Sequence, residues 1–277
     1  MKIYRIFTLM AAGGLLAGCS ILERTDKGAY SGPFHAPSNT HLAPGGLPAD
    51  LLRVAVMPLM PGRGNAPADR GIAKLQTVLT EELSRARLFE VITVTPHRLH
   101  GLFNERAIYA DAALPFDFLP KLAKETGCQA VLFCELTTYR AYPPIGVGWK
   151  LHLFSLEDGQ LIWATDEVFD AGQTTVNNSL RRHIRERQSS SILAATELLV
   201  LNSPRELGRY SLGSIFDHLS EKNAKELLLT ADNKNSQRVS GNPEPVEPPE
   251  GEPQPERPTV PEGSEDPAPL PPIPGDT

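Results

Sequence analysis

The chain has 277 residues, 40% of them apolar and 22% charged, and a formal net charge of −6. That charge is uneven, because nine acids and two bases between Asn235 and Thr277 give this stretch −7 and leave the rest near +1. A body so close to neutral carries no electrostatic footprint for nucleic acid, and about 180 residues between the two ends suffice for one domain with a hydrophobic core.

At the amino terminus Lys2 and Arg5 precede Ile6 to Leu16, an apolar run of about 11 residues. That run is too short to cross a bilayer as a helix. It ends in Leu16-Ala17-Gly18-Cys19. The tetrapeptide resembles the lipobox of bacterial lipoproteins, and the resemblance implies a signal peptide over 1–18, cleavage before Cys19, and acylation of the Cys19 thiol and often of the new amine. Two or three acyl chains at about 0.8 kcal/mol per buried methylene make a stable anchor. In that family an Asp after the cysteine retains the protein at the inner membrane. Ser20 stands there instead, which implies the outer membrane.

Residues 19–50 are expected to form a flexible tether. Gly and Pro punctuate them and no apolar period is sustained. Such a leash reaches at most about 100 Å. The domain then spans 51–232. Leu51 to Leu59 predicts a buried strand with Pro58 near its end. A Gly/Pro loop from Met60 to Pro67 leads to a helix over Asp69 to Arg87, whose Ile72, Leu75, Val78, Leu79 and Leu83 recur at helical spacing. Leu88 to Val94 predicts a second strand, and Thr95-Pro96 caps and opens a short helix through Phe103. A helix over Phe116 to Thr126 should end at Gly127. Strands over Gln129 to Tyr139, Gly146 to Leu156 and Gln160 to Phe169 follow, the last two joined by a turn containing Asp158-Gly159. From Thr174 to Leu201 the pattern is helical, Asn202-Ser203-Pro204 breaks it, and a last helix runs from Arg205 to about Leu229. Thirteen of the 26 prolines lie after Asn242, so residues 233–277 are expected to be a disordered acidic tail.

Cys128 and Cys134 flank the run Gln129 to Phe133. Six residues along a strand span about 20 Å, whereas a disulfide needs Cα atoms within about 7 Å. Two buried free thiols are therefore expected, with pairing to another molecule as the alternative. His97 and His100 share a helix face but have no third ligand nearby, so no metal is expected. Gly62-Arg63-Gly64 follows a strand and precedes a helix, a place where anions bind, but lacks the spaced glycines and lysine of a nucleotide loop. No nucleophile motif or metalloprotease motif occurs, so neither catalysis nor a cofactor is expected. Trp149 and Trp163 match the parity of their strands' apolar residues and are expected in the core. Two candidate binding features remain. Arg181, Arg182, Arg185 and Arg187 form a basic run suited to an acidic partner or lipid head groups, the bland alternative being a solvated helix face. Tyr139 and Tyr142 belong to a Pro-rich connection, expected as exposed aromatics of a binding loop.

The text Val54-Ala55-Val56-Met57-Pro58-Leu59, then Leu88-Phe89-Glu90-Val91-Ile92, then Leu122 to Leu132, closed by Asp158-Gly159 and Leu161-Ile162-Trp163, resembles the amino-terminal domain of TolB. That domain is shared with Lpo-type activators of penicillin-binding proteins and with CsgG-type secretion lipoproteins. The resemblance covers about Arg53 to Phe169. It implies an α/β fold, a mixed sheet with flanking helices, followed here by C-terminal helices. A CsgG-type pore hairpin needs about 9–11 residues per strand with an apolar lipid face. Asn104 to Pro115 is too short for one and Arg181 to Arg187 too charged. The expected function is a non-catalytic envelope lipoprotein, tethered to the membrane through Cys19, that presents its domain to a periplasmic partner such as a cell-wall synthase or an envelope assembly complex. The alternatives are a ring-forming component of a secretion apparatus and a hydrolase whose site is not legible in sequence.

Overall fold

The computed structural model describes residues 32–64, 66–187 and 199–240, without the side chains of 66 and 233–240. The expected signal, Cys19, residues 20–31, the stretch 188–198 and the tail beyond 240 lie outside the described residues. The chain divides into two units, Met1–Asn235 and Ser236–Thr277, and the described fold belongs to the first, apart from the last five residues of its final helix. Its elements are β1 (Thr40–Leu42), β2 (Arg53–Val56), β3 (Met60–Pro61), α1 (Ala66–Ala86), β4 (Glu90–Thr93), α2 (Pro96–Phe103), α3 (Phe118–Thr126), β5 (Ala130–Arg140), β6 (Gly146–Ser155), β7 (Leu161–Asp170), α4 (Thr174–Arg187) and α5 (Pro204–Ser240). They build a mixed α/β fold around a seven-stranded sheet of order β1-β7-β6-β5-β2-β4, with β3 beside β5.

The sheet has a parallel half and an antiparallel half, and the two bury differently. β2 runs parallel to β4 and β5, whereas β5, β6 and β7 are antiparallel neighbours. Helices cover both faces of the parallel half, so β2 and β5 are apolar almost throughout. Val54, Val56, Ala130, Leu132 and Cys134 join the core under α1, α4 and α5, while Ala55, Met57, Val131 and Phe133 join a second core with Leu99 of α2 and Phe118 and Leu122 of α3. In β7 only one face is covered. Trp163, Thr165, Glu167 and Phe169 are buried and Asp166 and Val168 are exposed.

Local chemistry explains the ends. Pro58 has no N–H to give to β5, so the first strand stops at Val56, shorter than its apolar run Leu51 to Leu59. Pairing resumes at β3, two residues inside the expected Gly/Pro loop, where Met60 stands beside Glu135. Between them Leu59 N–H finds the Gln76 side chain at 2.7 Å. Thr95 caps α2 by accepting from Arg98 N–H at 3.2 Å. Gly127 ends α3 at φ +64°, a conformation a side chain would strain. Leu75, Val78, Leu79 and Leu83 of α1 are at most 1% exposed, each burial worth about 1.5–3 kcal/mol. α5 crosses α1 closely enough that a Cβ on Gly208 would stand 2.7 Å from the Leu75 side chain. That helix continues to Ser240, past the expected end near Leu229.

Residues 32–47, counted in the tether from sequence, lie against the domain as a strap along β7 and α5. β1 pairs with Thr165, Ala164 and Trp163. Glu167 accepts from Ser38 N–H at 3.3 Å and Asn39 N–H at 3.0 Å, and His35 donates its own N–H to Ser179 at 2.9 Å. Lys222 Nζ takes the Thr40 carbonyl at 3.1 Å, and Asn223 accepts from Leu47 N–H at 2.7 Å. These are backbone contacts to distant side chains, so no local apolar period announces them.

Candidate functional site

α2 and α3 roof only part of the second sheet face. Beyond Phe133 the exposed face carries a row of charges drawn from three strands. Lys150 of β6 stands in register with Glu135 of β5 on one side and Asp166 of β7 on the other. Lys150 Nζ lies 3.8 Å from a Glu135 oxygen and 3.8 Å from Asp111. Asp111 belongs to the loop between α2 and α3, and its other oxygen meets Arg63 at 3.0 Å. The Arg63 guanidinium also lies 4.9 Å from the Tyr109 ring centroid, a cation–π distance, and Tyr109 OH donates to the Pro61 carbonyl at 3.1 Å. One network thus ties the two loops at this end of the sheet to its middle strands.

Its electrostatics follow from partial burial. Burial raises the Glu135 carboxyl above the ordinary range, with Lys150 opposing. Burial and then Lys150 lower His152, which lies on the same face one pair along. Among the described residues no group of three His, Cys, Asp or Glu side chains could hold a metal ion. Within the row Glu135 is buried, Lys150 is half-buried beneath the Asp111 loop, and Asp166 is exposed.

The histidines give this molecule a pH dependence. Burial is the first cause of lowered values at His35, His152, His183 and His218. Below about pH 6.5 the unfolded chain takes up protons that the folded imidazoles refuse, so stability falls on acidification. The raised carboxyls of Glu135 and Asp217 act in the opposite sense, and their contribution is lost as pH rises from about 4.5 through their folded values. Between about pH 7 and pH 5.5 a lower melting temperature is expected, with a smaller drop in His183→Gln. Melting curves recorded by circular dichroism check this, and an equal drop in both proteins would remove His183 from the account.

The other candidates are dispersed. Arg181 donates to Asn177 at 2.8 Å, Arg182 pairs with Glu186 at 2.9 Å and lies 5.0 Å from the Phe34 ring centroid, and Arg187 reaches Glu82 at 3.8 Å. Arg185 is exposed on the same helix. Helical geometry sends these side chains toward the strap, the solvent and α1 rather than to one anion. Tyr142 is 80% exposed at the loop tip. Tyr139 corrects the expectation of an exposed aromatic, for it is only 6% exposed. A register shift between Leu136 and Thr138 inserts one residue into β5, so Tyr139 returns to the face of Leu136 and packs on Gly71 of α1. Cys128 and Cys134 are free and buried, in opposite cores, and burial pushes the Cys134 thiol far up. Trp149 and Trp163 are core residues, while His97 and His100 are exposed. Arg63 of the Gly62-Arg63-Gly64 loop is engaged by Asp111. The charged row escaped the sequence reading because its members are far apart in the chain. The available signal was a charge in the interior of each of three strands, Glu135, Lys150 and Asp166.

The fold is therefore that of a mixed α/β domain with a row of charges on one sheet face. No protein-family model matches the sequence, and no curated protein matches it. The structure is similar to bacterial lipoproteins of low identity. Lipoprotein GNA1162 of Neisseria meningitidis is 18% identical over 54% of this chain and 94% of that chain, with a TM-score of 0.32. The PelC dodecamer of Paraburkholderia phytofirmans is 12% identical over 64% and 98%, with a TM-score of 0.35. The LpoB C-terminal domain of Escherichia coli is 14% identical over 43% and 82%, with a TM-score of 0.29. Among the described residues no helix is long and apolar enough to cross a membrane.

Proposed function

We propose that the chain is a lipid-anchored lipoprotein of the cell envelope that presents the charged face of its sheet to a periplasmic protein, without chemistry of its own. The observation that carries this is Leu16-Ala17-Gly18-Cys19 placed directly after the apolar run of the amino terminus. Acyl chains on Cys19 hold the domain at the outer membrane, and the Glu135, Lys150 and Asp166 row supplies charge complementarity to a cell-wall synthase or an assembly complex. The row is charged, which suits a protein surface better than a small molecule, whose sites are concave and largely apolar.

Cells producing the wild type or Cys19→Ala, fed a labelled fatty acid and fractionated, test the anchor. The wild type is expected to carry label and to sediment with membranes, and the variant to lose the label with a membrane-bound fraction about tenfold lower. Unlabelled wild type, or a chain that retains residues 1–18, would end the proposal. A photocrosslinker at position 150 then tests the face: crosslinks to one envelope protein are expected there and not from Leu227 on α5, which is exposed elsewhere.

A further inference from the structure

The two edges of the sheet are finished differently. At one, β1 has only three residues, and Lys222 occupies the outward Thr40 carbonyl. Short length and lysine are the usual protections of an edge. At the other, β4 has β2 as its only strand neighbour among the described residues. Glu90 N–H goes to the Leu52 carbonyl at 2.7 Å and Val94 N–H to the Val56 carbonyl at 2.9 Å. With the parallel register Arg53↔Glu90 through Val56↔Thr93, these bonds fix the orientation of every residue in the strand. Glu90, Ile92 and Val94 turn their backbone groups inward, and Val91 and Thr93 turn theirs out.

Nothing in β4 discourages pairing. It contains no proline, lysine or bulge, and its one charge, Glu90, is met by Arg53 at 3.1 Å. Val91 and Ile92 are β-branched and half-buried, one beside each core. Phe89 is also half-buried, and its register neighbour Leu52 is 66% exposed although it adjoins the sheet.

We propose that β4 is a docking edge for a second copy of this chain, the two β4 strands pairing antiparallel about a twofold axis at Ile92. The edge is complementary to itself in this register. Val91 exchanges both backbone bonds with Thr93 of the other copy, Thr93 exchanges both with Val91, and all four outward N–H groups find carbonyls. Ile92 faces its own equivalent, and Val91 and Thr93 make β-branched cross-strand pairs. The twofold closes on itself, so the assembly stops at a dimer and joins two sheets into one. This edge is separate from the charged face and does not depend on the anchor.

Sedimentation of the full chain over a range of concentrations, in detergent where it is acylated, tests the proposal. A reversible dimer is expected in the wild type, and Val91→Lys, which sets an ammonium on the edge, should raise its dissociation constant at least about tenfold, as should Thr93→Pro. Circular dichroism establishes that each variant is folded, and Val91→Lys alone decides if Thr93→Pro is not. Geometry gives a sharper readout. Cα atoms of a non-hydrogen-bonded antiparallel pair lie about 4.5 Å apart, within disulfide range. Ile92→Cys should therefore oxidise to a covalent dimer, whereas Arg87→Cys, exposed outside the strand, should not. A wild type monomeric at every concentration, a dimer unaffected by Val91→Lys, or no Ile92→Cys crosslink would each overturn the proposal.

Discussion

Replacing Trp149 with alanine is expected to remove about 3–5 kcal/mol of stability, enough to leave much of the chain unfolded at physiological temperature. Trp149 is fully buried in β6 and joins the sheet to α5. Its indole Nε1–H donates to Ser211 Oγ at 2.8 Å, and that hydroxyl donates in turn to the Gly208 carbonyl at 3.0 Å. At Gly208 an added Cβ would stand 2.7 Å from the Leu75 side chain of α1 and 3.8 Å from the Trp149 ring. Alanine therefore opens a cavity at the junction of three elements and leaves Ser211 short of a donor. Trp149→Phe keeps much of the volume and loses the hydrogen bond, so its loss should be smaller, about 1–2 kcal/mol. Urea unfolding followed by circular dichroism measures both. A Trp149→Ala loss under about 1 kcal/mol would mean that α5 does not rest on this ring.

Glu167→Ala should release the strap while the sheet stays folded. The Glu167 side chain is nearly buried, with one oxygen accepting from two backbone N–H groups of the strap and the other 3.5 Å from His35 Nε2. His35 also lies edge-on to Phe169, with ring centroids 4.7 Å apart. Removing the carboxylate leaves two backbone donors of the strap without partners, at about 1–3 kcal/mol. Cleavage within residues 32–42 under limited proteolysis is expected to rise about tenfold or more. Glu167→Gln retains an acceptor and should lie between. An unchanged rate in Glu167→Ala would show that β1 and Lys222 hold the strap without it. On the proposed anchor, the strap also sets how far the domain stands from its membrane. Docking of residues 32–47 removes about 50 Å from the greatest reach of the chain between Cys19 and the domain.

Features built from neighbours in sequence were legible beforehand. The Thr95 and Gly127 caps, the apolar face of α1 and the β6–β7 hairpin each depend on residues within a few positions of one another. β1 and β3 were not legible, because strands of three and two residues have no period and both lie among prolines. Tyr139 was assigned to the wrong environment because it was counted in the Pro-rich connection, whereas β5 runs on to Arg140 and an inserted residue turns Tyr139 back to the core face. α3 begins at Phe118, two residues inside the expected boundary, with Asp117 in a left-handed conformation before it. The candidate site shows the same division. Four arginines adjacent in sequence proved to face different neighbours, whereas Glu135, Lys150 and Asp166, adjacent in space, are 15 and 16 positions apart.

The sequence alone determined the helices and the longer strands of the domain. Continuous apolar runs mark the doubly covered strands and alternation marks the singly covered ones, because burial acts on each side chain separately along the chain. It also carries the Cys19 motif, which is written in consecutive residues. Only the tertiary structure decided that the strap docks on Glu167, that three distant charges form one row, and that one sheet edge is capped while the other stays open. Those outcomes depend on strand order and register, which are set jointly by all the elements that share a core, so no local pattern encodes them.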